Sequence, residues 1–301
     1  MRKLLKWTGV ALGGLAGALL VAGAVLYQAG GARLARTWEV PVAAVRVPSD
    51  SAAVARGRHL SDAMGLCLGC HGEDMSGKVL FDESGIATVY ASNLTSGRGG
   101  RGAVYTDVDF VRAIRHGVNR EGRGILVMHS DAYHGLGAED LGAIVAYLKS
   151  LPPVDNEVPE PRATPIGKIM IALGLFDSDV IPLIPAERID HDAPLAPAPR
   201  REISAAYGHY VVSLALCTLC HGADLGGGPP VEPGAPPGPN IAAYAASGTW
   251  TEEQFVATLR TGVTPYGKRI DPEVMPWEHY ARMSDDELAA IWQYMASLAG
   301  G

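Results

Sequence analysis

The sequence predicts an all-α chain, with one membrane-crossing helix at its amino end followed by two tandem copies of a small helical bundle joined by a Pro-rich linker. Three observations carry that expectation. Trp7 to Tyr27 is an uncharged run of 21 residues, roughly 31 Å as a helix and so one hydrocarbon core thick. The pattern C-x-x-C-H stands at Cys67 to His71 and again, 150 residues later, at Cys217 to His221. After each copy, apolar positions recur three and four apart, the spacing of one helical face.

Length and charge agree with this organisation. A chain of 301 residues suits two small domains rather than one large core. Of its 25 basic and 32 acidic side chains, six basic and two acidic ones fall in the first fifty residues, so residues 51–301 carry 19 against 30, a net charge of −11. Such a surface repels phosphate backbones, which argues against a nucleic-acid partner. With 37 Gly and 21 Pro the chain stays below the level that signals disorder.

Residues 1–30 read as a transmembrane anchor or a signal segment. Arg2, Lys3 and Lys6 precede the apolar run and the aromatic residues Trp7 and Tyr27 end it, which keeps the amino terminus inside. Ala22-Gly23-Ala24 offers a signal-peptidase site, yet the run is longer than a signal h-region, and this favours a retained anchor. Either reading exports the rest of the chain. A single-pass anchor would lie in the inner membrane with the remaining chain on the periplasmic side. Gly9, Gly13 and Gly17 recur every fourth residue and form a flat stripe for a helix contact; a glycine-rich anchor without a partner is an equal alternative.

The repeat carries the chemistry. C-x-x-C-H is the attachment pattern for c-type haem: two thiols reach the vinyl groups and the adjacent His binds iron. A zinc site would need two such pairs closer together. All four cysteines are used, so Cys67, Cys70, His71, Cys217, Cys220 and His221 are the expected cofactor-binding residues, with two covalently bound haem c. The repeat also pairs His59 with His209, Asp74 with Asp224, Gly77 with Gly227, Asn93 with Asn240, Phe110-Val111 with Phe255-Val256, Arg115 with Arg260, and Gly117-Val118 with Gly262-Val263. It closes with Leu141, Ile144, Tyr147, Ser150 and Leu151 against Leu288, Ile291, Tyr294, Ser297 and Leu298. Thr106-Asp107-Val108-Asp109 and Thr251-Glu252-Glu253-Gln254 read as capped helix starts, as do the residues before each last helix. Each copy is expected to run as a helix into C-x-x-C-H, a Gly-rich loop, a middle helix, a ligand loop and a final helix.

That order resembles a class I cytochrome c domain, with domain one at 51–152, a Pro-rich linker at 153–202 and domain two at 203–301. Within the class, Ser92-Asn93-Leu94-Thr95, the Phe110 to Val118 run and Leu148-Lys149-Ser150-Leu151-Pro152-Pro153 resemble the membrane-anchored cytochrome c subunits of bacterial dehydrogenases of alcohols and of sugar acids such as gluconate. Those subunits commonly carry three haems, and this chain has sites for two. The resemblance implies covalent haem, a thioether second ligand and a role as electron conduit rather than enzyme. Its partner would be a membrane dehydrogenase or respiratory complex acting as electron donor or acceptor. A dihaem cytochrome c peroxidase, needing one open iron, is the alternative.

Met128 and Met275 occupy the same slot of the repeat, 57 residues after His71 and 54 after His221. They are the expected axial ligands, so the metal sites read His71 with Met128 and His221 with Met275; a thioether opposite His suits electron transfer. His129, next to Met128, reads as a solvent-facing loop residue in preference to a competing ligand. His59 and His209 read as packing residues of the first helices, and His116, His134 and His279 as surface residues. Arg115 and Arg260 suit either a haem propionate or packing across the domain edge. Asn93 and Asn240 suit a bond to the loop backbone or a propionate, and Tyr147 and Tyr294 are expected to face the haem. In the linker, Ile166 to Phe176 is too short and too broken by Lys168 to span a membrane, and a short helix is expected there.

Overall fold

A computed structural model of the chain describes residues 2–83, 85–178, 181–231 and 234–298. Helix α1 (Arg2–Ala35) extends 34 residues, one end of it reaching past the uncharged run because Gln28 to Ala35 holds no helix breaker stronger than glycine. Its first part meets no neighbour, and Leu4, Leu12, Leu19 and Val25 are all well exposed. Its last turns belong to the folded body. Gly30 is buried, and a Cβ there would lie 1.9 Å from the Lys168 carbonyl oxygen, so the crossing requires glycine. Arg33 then pairs with Asp177 at 2.5 Å and with Glu187 at 2.6 Å.

The first copy comprises α2 (Ser51–His59), α3 (Cys67–His71), strands β1 (Lys78–Glu83) and β2 (Ala87–Ala91), and helices α4 (Asp107–His116), α5 (Ser130–Tyr133) and α6 (Ala138–Ser150). Next come β3 (Arg162–Ala163) and α7 (Pro165–Ala172). The second copy comprises α8 (Ala205–Leu214), α9 (Cys217–His221), α10 (Ala242–Ala246), α11 (Glu252–Thr261), α12 (Trp277–Tyr280) and α13 (Asp285–Ser297). The middle helices begin on capping boxes at Thr106 and Thr251 and stop at Gly117 and Gly262, both left-handed at φ 62° and 67°. Those four residues do what their chemistry favours at helix ends. Ser284 caps α13 in the same way, whereas α6 starts at Gly137 without a side-chain cap.

Within each copy the first helix crosses the last at a glycine. A Cβ on Gly57 would sit 1.9 Å from the Ala143 carbonyl oxygen, and one on Gly208 equally close to that of Ala290. Gly57 precedes its first cysteine by ten residues and Gly208 by nine. The extra residue of copy one is absorbed in a π-helical turn, Leu60–Met64, the usual way a helix accepts a single insertion. The sequence pairing of His59 with His209 is corrected by this: in space His59 matches Tyr210, and His209 matches Arg58.

The all-α expectation needs one correction. Strands β1, β2 and β3 form a small antiparallel sheet, with Lys78 opposite Ala91 and Ala87 opposite Ala163. Val79, Phe81, Val89 and Tyr90 suit a pleated surface. The corresponding loop of copy two, Gly226 to Pro239, is too rich in proline to supply ladder donors, and among its described residues pairs only Gly228 with Gly238. The segment read as a linker is docked rather than free: Ile171, Leu183, Ile184 and Ala186 pack with Val118 and Leu34 into a second core beneath α1. The main core is continuous across both copies.

That continuity has a polar seam. Arg56 on α2 bonds Asp140 at the start of its own last helix, at 3.0 Å, and reaches Glu287 of α13 at 3.3 Å. His59 bonds Glu287 at 2.7 Å. From the other side, the Tyr210 hydroxyl donates to Asp140 at 2.9 Å and that of Tyr207 to Glu287 at 3.3 Å. Asp140 and Glu287 hold equivalent positions, as do Arg56 and Tyr207, so the contacts are reciprocal, as across a two-fold axis. The guanidinium and imidazole partners, with the amide of its own helix start, draw Glu287 down to about 2 against the opposing effect of burial.

Candidate haem-attachment sites

Each C-x-x-C-H forms a one-turn helix of its own, reached through a left-handed leucine, Leu66 at φ 49° and Leu216 at φ 57°. Both leucines bear a conformational cost that only a fixed angle of approach explains. The cysteines of each pair are three residues apart and so share one face of the turn. All four are free thiols. Burial pushes Cys67 and Cys217 up to about 12, so both are protonated thiols at neutral pH.

The two histidines are held alike. His71 Nδ1 donates to the Ser92 carbonyl oxygen at 2.8 Å, and His221 Nδ1 to that of Pro239 at 2.8 Å. A carbonyl can only accept, so the proton sits on Nδ1 and the Nε2 lone pair is free to bind a metal. Burial holds both imidazoles below their ordinary value, which keeps them neutral. In copy one, His71, Cys67 and Met128 line the same apolar cavity, walled by Leu94, Ile114 and Ile144. A thiol, a neutral imidazole and a thioether around an apolar slot, with the second thiol, Cys70, on the same turn, are the donor types of a c-type haem. The residues therefore fit that group. Leu214 of copy two completes the wall. In copy two Met275 packs half-buried against the main core, its loop pinned by the Trp277 indole, which donates to the Ile270 carbonyl oxygen at 3.1 Å.

Sequence reasoning missed Tyr133 and Tyr280. Each lies five residues after its methionine, a repeat spacing that would have revealed the pair. Their buried hydroxyls donate to the carbonyl oxygens of Gly65 and Ala215, the latter at 2.9 Å. They thereby tie the segment after each methionine to the start of the attachment turn. Tyr133 lines the copy-one cavity.

Several expected roles change. Tyr147 packs on Gly57, and Tyr294 on Gly208 and the His209 ring at 5.0 Å, so both face the first helices. Arg115 donates to backbone carbonyls of His134 and Ala193, and Arg260 to those of Ala281 and Met283, so both pack across the domain edge. Asn93 is fully buried and bonds Val154 and Thr95, whereas Asn240 is exposed and caps Ala243. His129 is half-buried with an unpartnered Nδ1, not solvent-facing. His116 is also no surface residue. It is buried and shares a hydrogen bond with His191, Nδ1 to Nδ1 at 3.1 Å, while the His134 ring packs edge-on at 5.6 Å. His279 is half-buried.

Residues 204–295 match the family described as cytochrome C oxidase, cbb3-type, subunit III. Over 98% of its length the chain is 27% identical to a nicotinate dehydrogenase subunit of Pseudomonas putida, of which it covers 25%. Over 81% it is 27% identical to the fructose dehydrogenase cytochrome subunit of Gluconobacter japonicus, covering 52% of that protein. Over 83% it is 26% identical to the gluconate 2-dehydrogenase cytochrome c subunit of Pantoea cypripedii, covering 60%. The chain thus spans a quarter to somewhat over half of the curated relatives it matches. By these matches it is similar to the cytochrome c subunits of bacterial sugar, sugar-acid and alcohol dehydrogenases, and its carboxy-terminal copy carries the match to a cytochrome c family.

Proposed function

We propose that the chain is a membrane-anchored dihaem c-type cytochrome that passes single electrons between a membrane dehydrogenase or quinol-linked complex and a periplasmic or membrane acceptor. One haem c is held by Cys67, Cys70, His71 and Met128 in domain one (51–152), the other by Cys217, Cys220, His221 and Met275 in domain two (203–301). The observation that carries this reading is the doubled attachment turn, with each His Nδ1 committed to a backbone carbonyl and each Nε2 left for a metal. When bound, haem c supplies a one-electron iron couple. The chain's own part is to fix the two imidazoles, to bring the Met128 thioether into the cavity of Cys67 and His71, and to exclude water with apolar walls. Nothing in this set abstracts a proton or attacks a substrate, so catalysis falls to a partner subunit, as the names of the relatives suggest. The peroxidase alternative draws no support from the matches.

The membrane reading rests on α1. Its exposed apolar length supports a span, and the docking of Gly30 and Arg33 on the body supports retention rather than cleavage. A haemochrome assay on the full chain should give two covalent haems and no free thiol. Replacing Cys217 and Cys220 by Ala should leave one. A native count of one haem per chain would refute the dihaem reading, and purification in mild detergent with identification of the co-purifying subunits tests the partner.

A further inference from the structure

We propose that α7 and the residues just after it, 165–176, rest in the interfacial zone of the bilayer that α1 crosses, giving the chain a second, monotopic contact with lipid. The inference rests on α1 being a retained anchor. Three observations carry it.

The first is an unpartnered apolar stripe. Gly167 and Ile171 turn inward and are buried, Gly167 so close to the Ile86 carbonyl that a Cβ would come within 2.2 Å. Ile166, half-buried Met170 and Leu173, at i, i+4 and i+7, then share a face turned away from that buried side. Ile166 is 61% exposed, Leu173 54% and the adjacent Leu175 62%. Among the described residues outside α1, seven large apolar side chains are more than half exposed, and these are three of them; a soluble surface scatters such residues rather than grouping them.

The second is height. Helix α7 crosses α1 at Gly30, three residues or about 4.5 Å beyond Tyr27 along the helix axis. Tyr27 closes the uncharged run, where an aromatic ring marks the membrane interface. Lys168 Nζ lies 4.8 Å over the Tyr27 ring and 3.5 Å from its hydroxyl, as a snorkelling lysine would at the level of the headgroups.

The third is charge. From Pro165 to Phe176 the only charged residue is Lys168. The next acidic group, Asp177, is bonded to Arg33. The stripe is thus continuous with a candidate membrane span, free of acidic repulsion and too small for a stable protein interface, which fits it to a lipid surface better than to a partner chain.

The test uses the full-length, haem-loaded chain in nanodiscs of mixed zwitterionic and anionic phospholipid. Single cysteines introduced as Ile166→Cys, Leu173→Cys or Leu175→Cys carry a nitroxide, with Leu19→Cys and Tyr266→Cys as lipid and water references. The oxygen-to-nickel-chelate accessibility ratio at 166, 173 and 175 should exceed that at 266 several-fold and approach that at 19. A ratio equal to that at 266 overturns the proposal while leaving the anchor intact. Shielding from both probes also overturns it, since a protein and not lipid would then cover the stripe. A water-like ratio at 19 refutes the anchor itself, and α7 with it. Because three separate positions are labelled, misfolding of one variant leaves the result decided by the others.

Discussion

Copies one and two set the same donors on the same frame yet hold their outer loops differently. Copy one is buttressed by the rest of the chain: Asn93 bonds Val154, Arg115 bonds Ala193, His116 meets His191, and β3 extends its sheet. Copy two relies on its own residues, with Asn240 capping α10 and Arg260 bonded within the loop before α13 and to Asp285. The attachment turns, with their histidine and tyrosine bonds to backbone carbonyls, recur in both copies, whereas those contacts with residues 153–202 belong to copy one alone.

The sharpest way to break the comparison is at the ligand loops. With a second haem held as proposed, Met275→Ala should turn it high-spin, admit carbon monoxide and abolish its near-infrared sulfur-to-iron band, because Pro276 offers no replacement donor. With haem held as proposed, Met128→Ala should stay six-coordinate at a lower potential, because the neighbouring His129, whose Nδ1 has no hydrogen-bond partner, would be available as a replacement donor. Carbon monoxide difference spectra of the two variants distinguish these outcomes, and equal binding would show that His129 plays no part.

A smaller asymmetry should appear with pH. Burial, helped by His191 and His134, holds His116 at about 4 instead of its ordinary 6.5. Between those values the folded state binds fewer protons than the unfolded one, so stability is lost as pH falls from about 6.5 towards 4. The loss between pH 7 and pH 5 should be about 2 kcal/mol. Urea unfolding followed in the one-haem Cys217→Ala/Cys220→Ala chain should show it, and His116→Leu should make the pH dependence measurably shallower.

The smallest contrast is at the middle helices. Thr106→Ala and Thr251→Ala should each cost about 1 kcal/mol. Thr106 should cost more, because its box partner Asp109 is buried and also pairs with Arg112 at 2.6 Å, while Gln254, the partner of Thr251, is exposed. Thermal unfolding of the two variants measures the order.

Local chemistry explains which of these features were legible in advance. Cysteine spacing, the methionine slot, capping threonines and the glycine stops act through neighbours in sequence, and a duplicated sequence displays each of them twice. The reciprocal seam was hidden because the π-helical insertion shifts the register, so that His59 looked equivalent to His209. The histidine trio was hidden because His191 arrives from a segment read as a linker. The sheet was hidden because β3, only two residues long, is recognisable solely through its partner.

The wall that Leu214 contributes to the copy-one cavity also bears on the order in which the protein is made. A chain appears from its amino end, so Cys67, Cys70, His71 and Met128 are all present well before residue 214. Until α8 emerges, that cavity has an open side. The donor residues of copy one are therefore made before the last side chain of the cavity around them, which copy two supplies.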